Sequence, residues 1–479
     1  MKFTLNQLKQ KNTTRSSVRI VAAIMALMAM LFLSGTLSWA DEKSVSEKIL
    51  DILREKGDIS EEQYEELKKQ AEAEQAEQEE QGEWKAYWKD GLRVESKDGK
   101  FKTRWGGRVQ LDWASIEADG DMEDALIDAG ENGPLEGNGV EFRRLRLYSR
   151  GILYETIGFR LEIDFADFDV DVKDAYLDFL KVPYVGNNVL RIGHTREPIS
   201  LEELTSSNNI TFMERALPVL AFAPSRNTGI LLWNNLLDKR LLWQAGLYYN
   251  TDDNGVSFNN FSNTDLTARI AGTPWYRDDK HLLHLGLGYS RKFRNEDRDD
   301  NDAKLRFRAR PESHITDVRL ANTDRYNADG ADLLNPELAL VYGPFSLQGE
   351  YFWVNNDASA VDDPTFTGWY AYGSWMITGE SRSYSQSGGF FGGVKPNNNF
   401  HMGQPGWGAF ELGFRYSRLD LTDSDIKGGE QDDVTVGLNW YLNPAVRIML
   451  NYVYADLDDR DNVPDGNTSI LQSRFQVAF

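Results

Sequence analysis

Strict alternation of polar and apolar side chains is the feature that most constrains how this chain can fold. It is clearest in residues 102–113, 157–165 and 471–479. Successive side chains of a β-strand point to opposite faces, so each segment predicts a strand with one polar and one apolar face. Similar alternation occurs in residues 140–150, 174–180, 264–270, 304–310, 410–417, 434–441 and 447–454.

Two-faced strands also fit a soluble sandwich or propeller, and the composition of the two faces separates these alternatives. The apolar face is rich in Trp, Tyr and Phe, as in membrane-interface girdles, whereas the polar face carries full charges that suit a water-filled lumen. No repeat of fixed period, as in a propeller, is visible. Phe479 ends the chain as the last outward residue of a strand, which resembles the terminal signal of outer-membrane barrels.

The fold class predicted from these features is all-β, a transmembrane antiparallel β-barrel over residues 83–479. At about 9–11 residues per strand, with turns and loops, this length favours 16 strands. Because 17 or 18 segments qualify as candidates, we expect one or two of them to be hairpins in loops.

The first 40 residues predict a signal peptide for export. They carry five basic residues and no acidic one, followed by an apolar run, Ile20 to Leu33, and then Ser38-Trp39-Ala40. This pattern predicts cleavage after Ala40. The alternative is an uncleaved signal-anchor helix, but the run is shorter than the ~20 residues that span a bilayer.

Residues 41–82 predict a short helical segment on the periplasmic side. Apolar residues recur at helical spacing, and Ser60 with Gln63 forms a capping-box pattern. The segment fits either a coiled coil that joins subunits or a solvated helical linker, because it has fewer than the three or four heptads of a sustained coiled coil.

Charge and composition exclude several function classes. The formal net charge of −22 argues against nucleic-acid binding, which needs a basic face to displace counterions. The absence of cysteine excludes a disulfide scaffold, iron–sulfur clusters and thiol zinc sites.

The positive charges concentrate on the inward face of the predicted strands. The alternate strand positions expected to point into the barrel hold sixteen basic and seven acidic residues, which gives a predicted lumen charge of +9. Inward arginines would favour anions, but they could instead brace the wall by pairing with inward carboxylates. Arg143 breaks the parity and is expected at an interface or on a bulge. The predicted anion path comprises Arg104, Arg108, Arg143, Arg144, Arg146, Arg150, Arg306, Arg308 and Arg310.

Several short motifs, in this order along the chain, resemble the phosphate-selective porin O and P family. The resemblance covers roughly residues 100–479. It rests on Gly106-Gly107-Arg108-Val109-Gln110, Phe142-Arg143-Arg144, Arg191-Ile192-Gly193 through Ser206-Ser207, Met213-Glu214-Arg215, Arg308-Ala309-Arg310-Pro311, Val394-Lys395-Pro396, Gly437-Leu438-Asn439-Trp440-Tyr441 and Phe479.

The resemblance implies a trimeric 16-stranded barrel in the outer membrane of a Gram-negative bacterium that passes phosphate or related anions, including polyphosphate. It also implies an inward-folded constriction loop, by position Glu197 to Asn227. Where similar phosphate-selective proteins carry a Lys after a Leu-Glu pair, this chain has Glu203, and we expect its carboxylate to repel phosphate. The expected constriction residues are Glu202, Glu203, Ser206, Ser207 and Arg215.

Alternatives to an anion channel are a general diffusion porin, a non-conducting structural or adhesin barrel, and an outer-membrane hydrolase. No nucleophile, base and orienting group occur at diagnostic spacing, so we expect no enzyme. The histidines show no H-E-x-x-H motif, and the acidic run 297–302 lacks the Gly and Glu of a calcium loop. We therefore expect no metal and no cofactor, and we expect outer-membrane lipid, including lipopolysaccharide, as a partner.

Overall fold

The computed structural model of the protein describes residues 56, 60, 61, 63–69, 84–166, 170–182, 188–251, 254–255, 263–294, 304–358 and 362–479. The predicted signal peptide and most of residues 41–82 lie outside them, so their roles stay predictions. The capping box is formed, since Gln63 N donates to Ser60 Oγ (3.2 Å) and Ser60 N donates to Gln63 Oε1 (3.0 Å). Residues 63–69 follow it as helix.

Beyond the helical residues 63–69, the described residues contain 22 strands and three short helices. The helices are α1 (Gly120–Asp128), α2 (Leu201–Leu204) and α3 (Leu217–Phe222). The strands are β1 (Trp84–Trp88), β2 (Leu92–Ser96), β3 (Phe101–Ala118), β4 (Gly137–Leu153), β5 (Ile157–Asp164), β6 (Asp171–Val182), β7 (Asn188–Arg196), β8 (Arg226–Leu236), β9 (Leu241–Tyr249), β10 (Thr264–Asp278), β11 (His281–Phe293), β12 (Arg308–Ala309), β13 (Ala321–Asn322), β14 (Gly330–Tyr342), β15 (Phe345–Asp357), β16 (Thr365–Met376), β17 (Tyr384–Ser385), β18 (Phe390–Phe391), β19 (Ala409–Asp423), β20 (Ile426–Asn443), β21 (Val446–Arg460) and β22 (Gly466–Ala478).

The last strand returns to the third, which closes the sheet. Residues 468–478 of β22 pair antiparallel with 108–118 of β3. Phe479 N donates to Gly107 O (3.0 Å), and Gly107 N donates to Phe479 O (2.9 Å). Gly106 must lack a side chain here, because a Cβ would lie 2.2 Å from the Phe479 carbonyl oxygen. The predicted closed barrel of 16 antiparallel strands is confirmed; it comprises β3–β11, β14–β16 and β19–β22.

The two faces of the wall differ as the alternation predicts. In β22, Arg474 and Gln476 are buried inside, whereas Leu471 and Phe475 are 42% and 45% exposed on the outside. The outward band is apolar and can therefore face lipid. The closed sheet pairs the backbone groups of the strands with one another, so none is left unpaired against lipid. Among the described residues, no helix is both long and apolar enough to cross a membrane.

The two ends of the barrel differ in the length of their connections. The turns after β10, β14 and β20 contain two residues each, as is typical of the periplasmic end of outer-membrane barrels. One long connection, residues 377–408 between β16 and β19, leaves this same end. The constriction loop, residues 197–227, and the connection between β11 and β14 start from the other, extracellular end.

The apolar core lies inside the barrel, where long connections pack against the wall and each other. Phe212 and Phe222 of the constriction loop join Phe307 in one buried cluster with wall residues of β15 and β16. In a second cluster, Leu201 packs with Phe391 of the segment 377–408. Burial of these side chains keeps the loops in the lumen.

The chain forms two compact units. The first holds the hairpin β1–β2, the start of β3 and residues 150–155. Its β2 pairs with residues 102–105, and the Phe101 and Tyr154 rings meet edge to face at 4.9 Å. The second unit holds the remainder of the barrel with its loops.

Candidate functional site

The constriction loop is held by arginines of the barrel wall that donate to its backbone carbonyls. Arg447 donates to Ile210 O (2.8 Å), Arg474 to Met213 O (2.5 Å), and Arg415 to Glu214 O (3.1 Å). The two predicted serines contact a fourth wall arginine: Arg108 donates to Ser207 Oγ (2.9 Å) and to Ser206 Oγ (3.4 Å). The loop therefore lies in the lumen by specific bonds as well as by apolar packing.

Glu203 does not present a free carboxylate to the lumen. It is 5% exposed and lies 2.9 Å from Arg215 Nε and 3.6 Å from Arg196 Nε. Its neighbour Glu202 accepts from Ala216 N (3.0 Å) and faces Arg415 (3.5 Å), and burial raises the Glu202 pKa. The expectation that Glu203 repels anions is not supported by this geometry, since neighbouring arginines neutralise it.

Most strand arginines pair with carboxylates. Arg146 lies 3.2 Å from Glu162 and 2.6 Å from Asp164, and Arg108 lies 3.3 Å from Glu162. Arg144 donates to Gln110 Oε1 (2.9 Å). On the strands, the bracing alternative therefore describes the contacts better than an open path for anions.

The predicted lumen charge of +9 omits buried strand residues of both signs. The acids Glu337, Glu350 and Asp433 are each at most 3% exposed, and the bases Lys292 and Arg460 are 8% and 6% exposed. Arg104 and Arg150 belong to the first unit, and neither is among the residues that line the cavity described next.

Arg306, Arg308 and Arg310 do not lie on a barrel strand, and the strand expected at 304–310 is wrong. They belong to a loop inside the barrel, residues 304–329, which we call the arginine loop. Its regular structure is the short pairing of β12 with β13 and an antiparallel bridge between Leu305 and Tyr326. The alternation is nevertheless real, because Leu305 and Phe307 are buried in the lumen core while the arginines turn to the other side.

The arginine loop and the constriction loop enclose a basic cavity of about 300 Å³, the arginine cavity. Five guanidinium groups face one carboxylate in its lining. The lining residues are Arg143, Glu214, Leu220, Ala221, Arg306, Arg308, Ala309, Arg310, Ser313, His314 and Arg319. Sequence reasoning found Arg143, Arg306, Arg308 and Arg310 but missed Arg319, which follows no alternating segment; the density of arginine over 306–319 was the available signal.

The charges of the arginine loop are only partly compensated. Arg310 pairs with Asp317 (2.5 Å) and Arg306 with Asp324 (3.6 Å), but these carboxylates are 71% and 74% exposed. Exposed ion pairs are weak. Among the described residues, Arg308 makes no ion pair within 4.0 Å. The lining thus keeps an excess of positive charge.

Burial and repulsion between positive charges lower the pKa of Arg319 and His314, and Arg319 stays charged at neutral pH. Burial, and to a smaller extent repulsion from Arg310, lowers the pKa of Arg319 to about 10. Burial, with repulsion from Arg143, lowers the pKa of His314 to about 2. At neutral pH, His314 is neutral and its Nδ1 can donate to Glu141, 3.0 Å away, while the guanidinium groups carry the cavity charge.

Arg143 and Arg144 both reach Glu214 of the constriction loop, although they are adjacent on β4. Arg143 Nε and Nη2 donate to the two Glu214 oxygens (2.9 and 3.0 Å), and Arg144 Nη1 lies 3.8 Å away. Phe142 and Leu145, on either side, are 50% and 37% exposed outside. Two consecutive side chains on the inner face interrupt the in–out alternation of β4 at this point, as a β-bulge does.

Comparison with known proteins identifies the family. The family model described as phosphate-selective porin O and P matches residues 116–479. The chain belongs to the phosphate-selective porin O and P family. It is 26% identical to Porin O of Pseudomonas aeruginosa over 434 residues, covering 82% of this chain and 91% of that protein. It is 29% identical over 401 residues to an uncharacterized protein of Caulobacter vibrioides, covering 82% and 76%.

Solved structures of outer-membrane channels are also similar. The outer-membrane channel DcaP of Acinetobacter baumannii has a TM-score of 0.49 at 12% identity, covering 80% of this chain and 99% of that one. An anion-selective porin from Comamonas acidovorans has a TM-score of 0.46 at 13% identity, covering 79% and 100%. Membership of the porin O and P family, together with the barrel, makes this protein an outer-membrane porin of a Gram-negative bacterium.

Proposed function

We propose that the porin prefers small anions and that the arginine cavity is the part of the lumen that selects them. The observation that supports this is the five-to-one excess of guanidinium groups over carboxylates in one cavity. Fixed positive groups beside a water-filled passage lower the energy of an anion and raise that of a cation. Acidic residues in external loops contribute less, because salt screens charges beyond a Debye length of about 8 Å.

Phosphate and short polyphosphates are the proposed solutes. Arginine forks match the oxygens of phosphate and carboxylate in bidentate geometry. A cavity of about 300 Å³ can hold more than one such group, which favours related polyanions as well as orthophosphate. A homotrimer and contact with lipopolysaccharide, implied by the family resemblance and the membrane location, remain proposals.

The reversal potential in a salt gradient across a planar bilayer tests this function. We expect a weak anion preference in the unmodified protein. The variant Arg306→Gln/Arg308→Gln/Arg319→Gln should shift the potential toward cations. Arg277→Gln is the matched control, because Arg277 is 69% exposed near the end of β10 and lies outside the cavity lining.

A general diffusion porin without selectivity is the second candidate, favoured by the pairing of the strand arginines. It predicts a reversal potential near zero and no response to the triple substitution. A barrel that conducts no ions would contradict both candidates and would leave a structural or adhesin role.

A further inference from the structure

Among the described residues that line the arginine cavity, Glu214 is the only carboxylate. Both of its oxygens are taken by the guanidinium fork of Arg143, at 2.9 and 3.0 Å. This is the bidentate arrangement in which an arginine binds a free carboxylate or phosphate. Glu214 therefore occupies the position on Arg143 that a permeating anion would use.

We propose that Glu214 is an internal competitor that limits how tightly the cavity holds an anion. An incoming anion can bind the guanidinium groups of the arginine loop, but it gains the Nε and Nη2 fork of Arg143 only by displacing the Glu214 carboxylate. Conduction requires binding that is favourable enough for entry and weak enough for release. The inference rests on the proposed anion function and assigns one residue the control of affinity.

The surroundings keep Glu214 charged. Arg474 Nη2 lies 2.8 Å from its Oε1, in addition to the contacts with Arg143 and Arg144. These arginines hold the pKa of the Glu214 carboxyl well below its usual range, against the effect of burial. A carboxylate that stays ionised at any physiological pH can compete permanently with anions for Arg143.

The constriction loop has other anchors at this point, so the carboxylate can be changed without releasing it. Arg474 also donates to Met213 O (2.5 Å), and Arg415 donates to Glu214 O (3.1 Å). Both acceptors are backbone carbonyls that no side-chain substitution removes. Glu214→Gln keeps the size of the side chain and one acceptor oxygen while removing the charge.

The test is the block of chloride current by added inorganic phosphate in single channels. In Glu214→Gln we expect the half-blocking phosphate concentration to fall about tenfold, because a charge-assisted bidentate contact becomes available to the ion. We also expect the reversal potential to shift toward anions relative to the unmodified protein. Glu203→Gln is the matched control: it makes the same charge change in the same loop, outside the cavity lining.

Arg143 supplies the second arm of the test. In the double variant Arg143→Gln/Glu214→Gln the gain should disappear, because the fork that Glu214 released is gone. Equal effects of Glu214→Gln and Glu203→Gln, or a gain that survives in the double variant, would overturn the inference. If the unmodified porin is anion-selective and Glu214→Gln changes nothing, the inference fails while the proposed function stands. If the unmodified porin is cation-selective, the proposed function is contradicted. The difference in phosphate block between the variants then still decides the role of Glu214.

A different observation, on the outer surface, carries a second inference. Residues 396–410, at the periplasmic end, contain no Asp, Glu, Lys or Arg. Within them lies the rim segment, residues 400–408, in which Met402 is 90% and Trp407 is 73% exposed. Such large exposed apolar side chains are rare on a protein surface that faces water.

The rim segment packs against the outward face of the barrel. The Phe400 ring lies 5.1 Å from Trp440, and Trp440 Nε1 donates to Trp407 O (2.7 Å). Trp440 stacks on Phe410 at 5.7 Å and continues the outward row of β20 that includes Leu438, which is 40% exposed. The segment is thus continuous with the surface that faces lipid.

We propose that the rim segment inserts Met402 and Trp407 into the boundary between headgroups and acyl chains of the inner leaflet. Trp is favoured at this depth, where its ring is apolar and its N–H remains hydrated. The absence of charge over residues 396–410 removes the main cost of insertion. The partner is a phospholipid surface, not a protein.

The chain has no cysteine, so Met402→Cys can carry a single nitroxide label in phospholipid vesicles. We expect its collisions with oxygen, which concentrates in lipid, to exceed those with a water-soluble nickel chelate. Lys280→Cys, in the turn after β10, is the control and should show the reverse. Preferential collision with the nickel chelate at position 402 would show a hydrated loop, and protection from both reagents would show a contact with a second copy; either result overturns the proposal.

Discussion

Glu312 fixes the arginine loop to the wall, and replacing it should undock the loop. Its side chain is 1% exposed and accepts from Arg415 Nε (3.1 Å), Thr435 Oγ1 (2.5 Å) and Ser417. Gln472 donates to the Glu312 carbonyl (3.0 Å). One carboxylate thus accepts hydrogen bonds from three side chains of the wall.

The magnitude follows from what Glu312→Ala leaves behind. Removing one partner of a buried ion pair costs about 3–5 kcal/mol. Because Glu202 remains 3.5 Å from Arg415, we expect the lower end, about 3 kcal/mol, which is roughly a 150-fold change in the docking equilibrium. Loss of the docked loop should also raise single-channel conductance and reduce ion selectivity.

Trypsin provides the assay, because an undocked loop exposes Arg306, Arg308 and Arg319 to cleavage; Arg310 is not a site, since Pro311 follows it. When opening is fast, the cleavage rate follows the open population, so Glu312→Ala should be cut much faster than the unmodified porin. Glu312→Ala/Arg415→Met removes both partners and should recover part of the resistance. Unchanged resistance in Glu312→Ala, or a double variant cut as fast as the single one, would refute the electrostatic reasoning.

Three further predictions concern stability and the wall. Arg146→Ala leaves Glu162 and Asp164 without one partner, so it should lower the unfolding temperature measured by the heat-modifiable gel shift. An unchanged gel shift together with altered ion selectivity would instead support a role of Arg146 in the anion path. Glu203→Lys places a third positive charge beside Arg215 and Arg196 and should destabilise the loop by about 3 kcal/mol without adding a phosphate site, which the phosphate block of chloride current checks. Burial and repulsion from Asp265 raise the Glu197 pKa from 4.5 to about 7. This group therefore stabilises the fold below pH 4.5 and loses that contribution as the pH rises through 7. The unfolding temperature should fall between pH 5 and pH 8, and Glu197→Gln should flatten this dependence.

The strands were predictable because each contacts lipid on one side and the lumen on the other, which imposes a period of two on the sequence. The same reasoning failed at Arg306, Arg308 and Arg310 for a physical reason. A loop folded inside a barrel also has two environments, here a buried core beside Leu305 and Phe307 and a basic cavity opposite. Alternation therefore reports two-sidedness, and it does not distinguish lipid from packed protein.

The charge balance of the lumen was less predictable than its fold. Whether Arg146 or Arg308 is compensated depends on which carboxylates neighbouring strands and loops bring within 4 Å. Arg146 meets Glu162 and Asp164 through strand placement, whereas Arg308 lies on a loop whose position no local pattern specifies. Glu214 appeared in the sequence only as part of a family motif, and its role emerges once Arg143 is seen to face it.

The pairing of β22 with β3 has a consequence for how the porin is assembled. Thr468 meets Ala118, so contacts that close the wall join residues near opposite ends of the chain and carry a high loop-closure cost. A chain secreted from its N-terminus has an unpaired β3 edge until the final residues arrive, and open edges promote aggregation. A chain truncated before Gly466 is left with two open edges instead of a smaller pore.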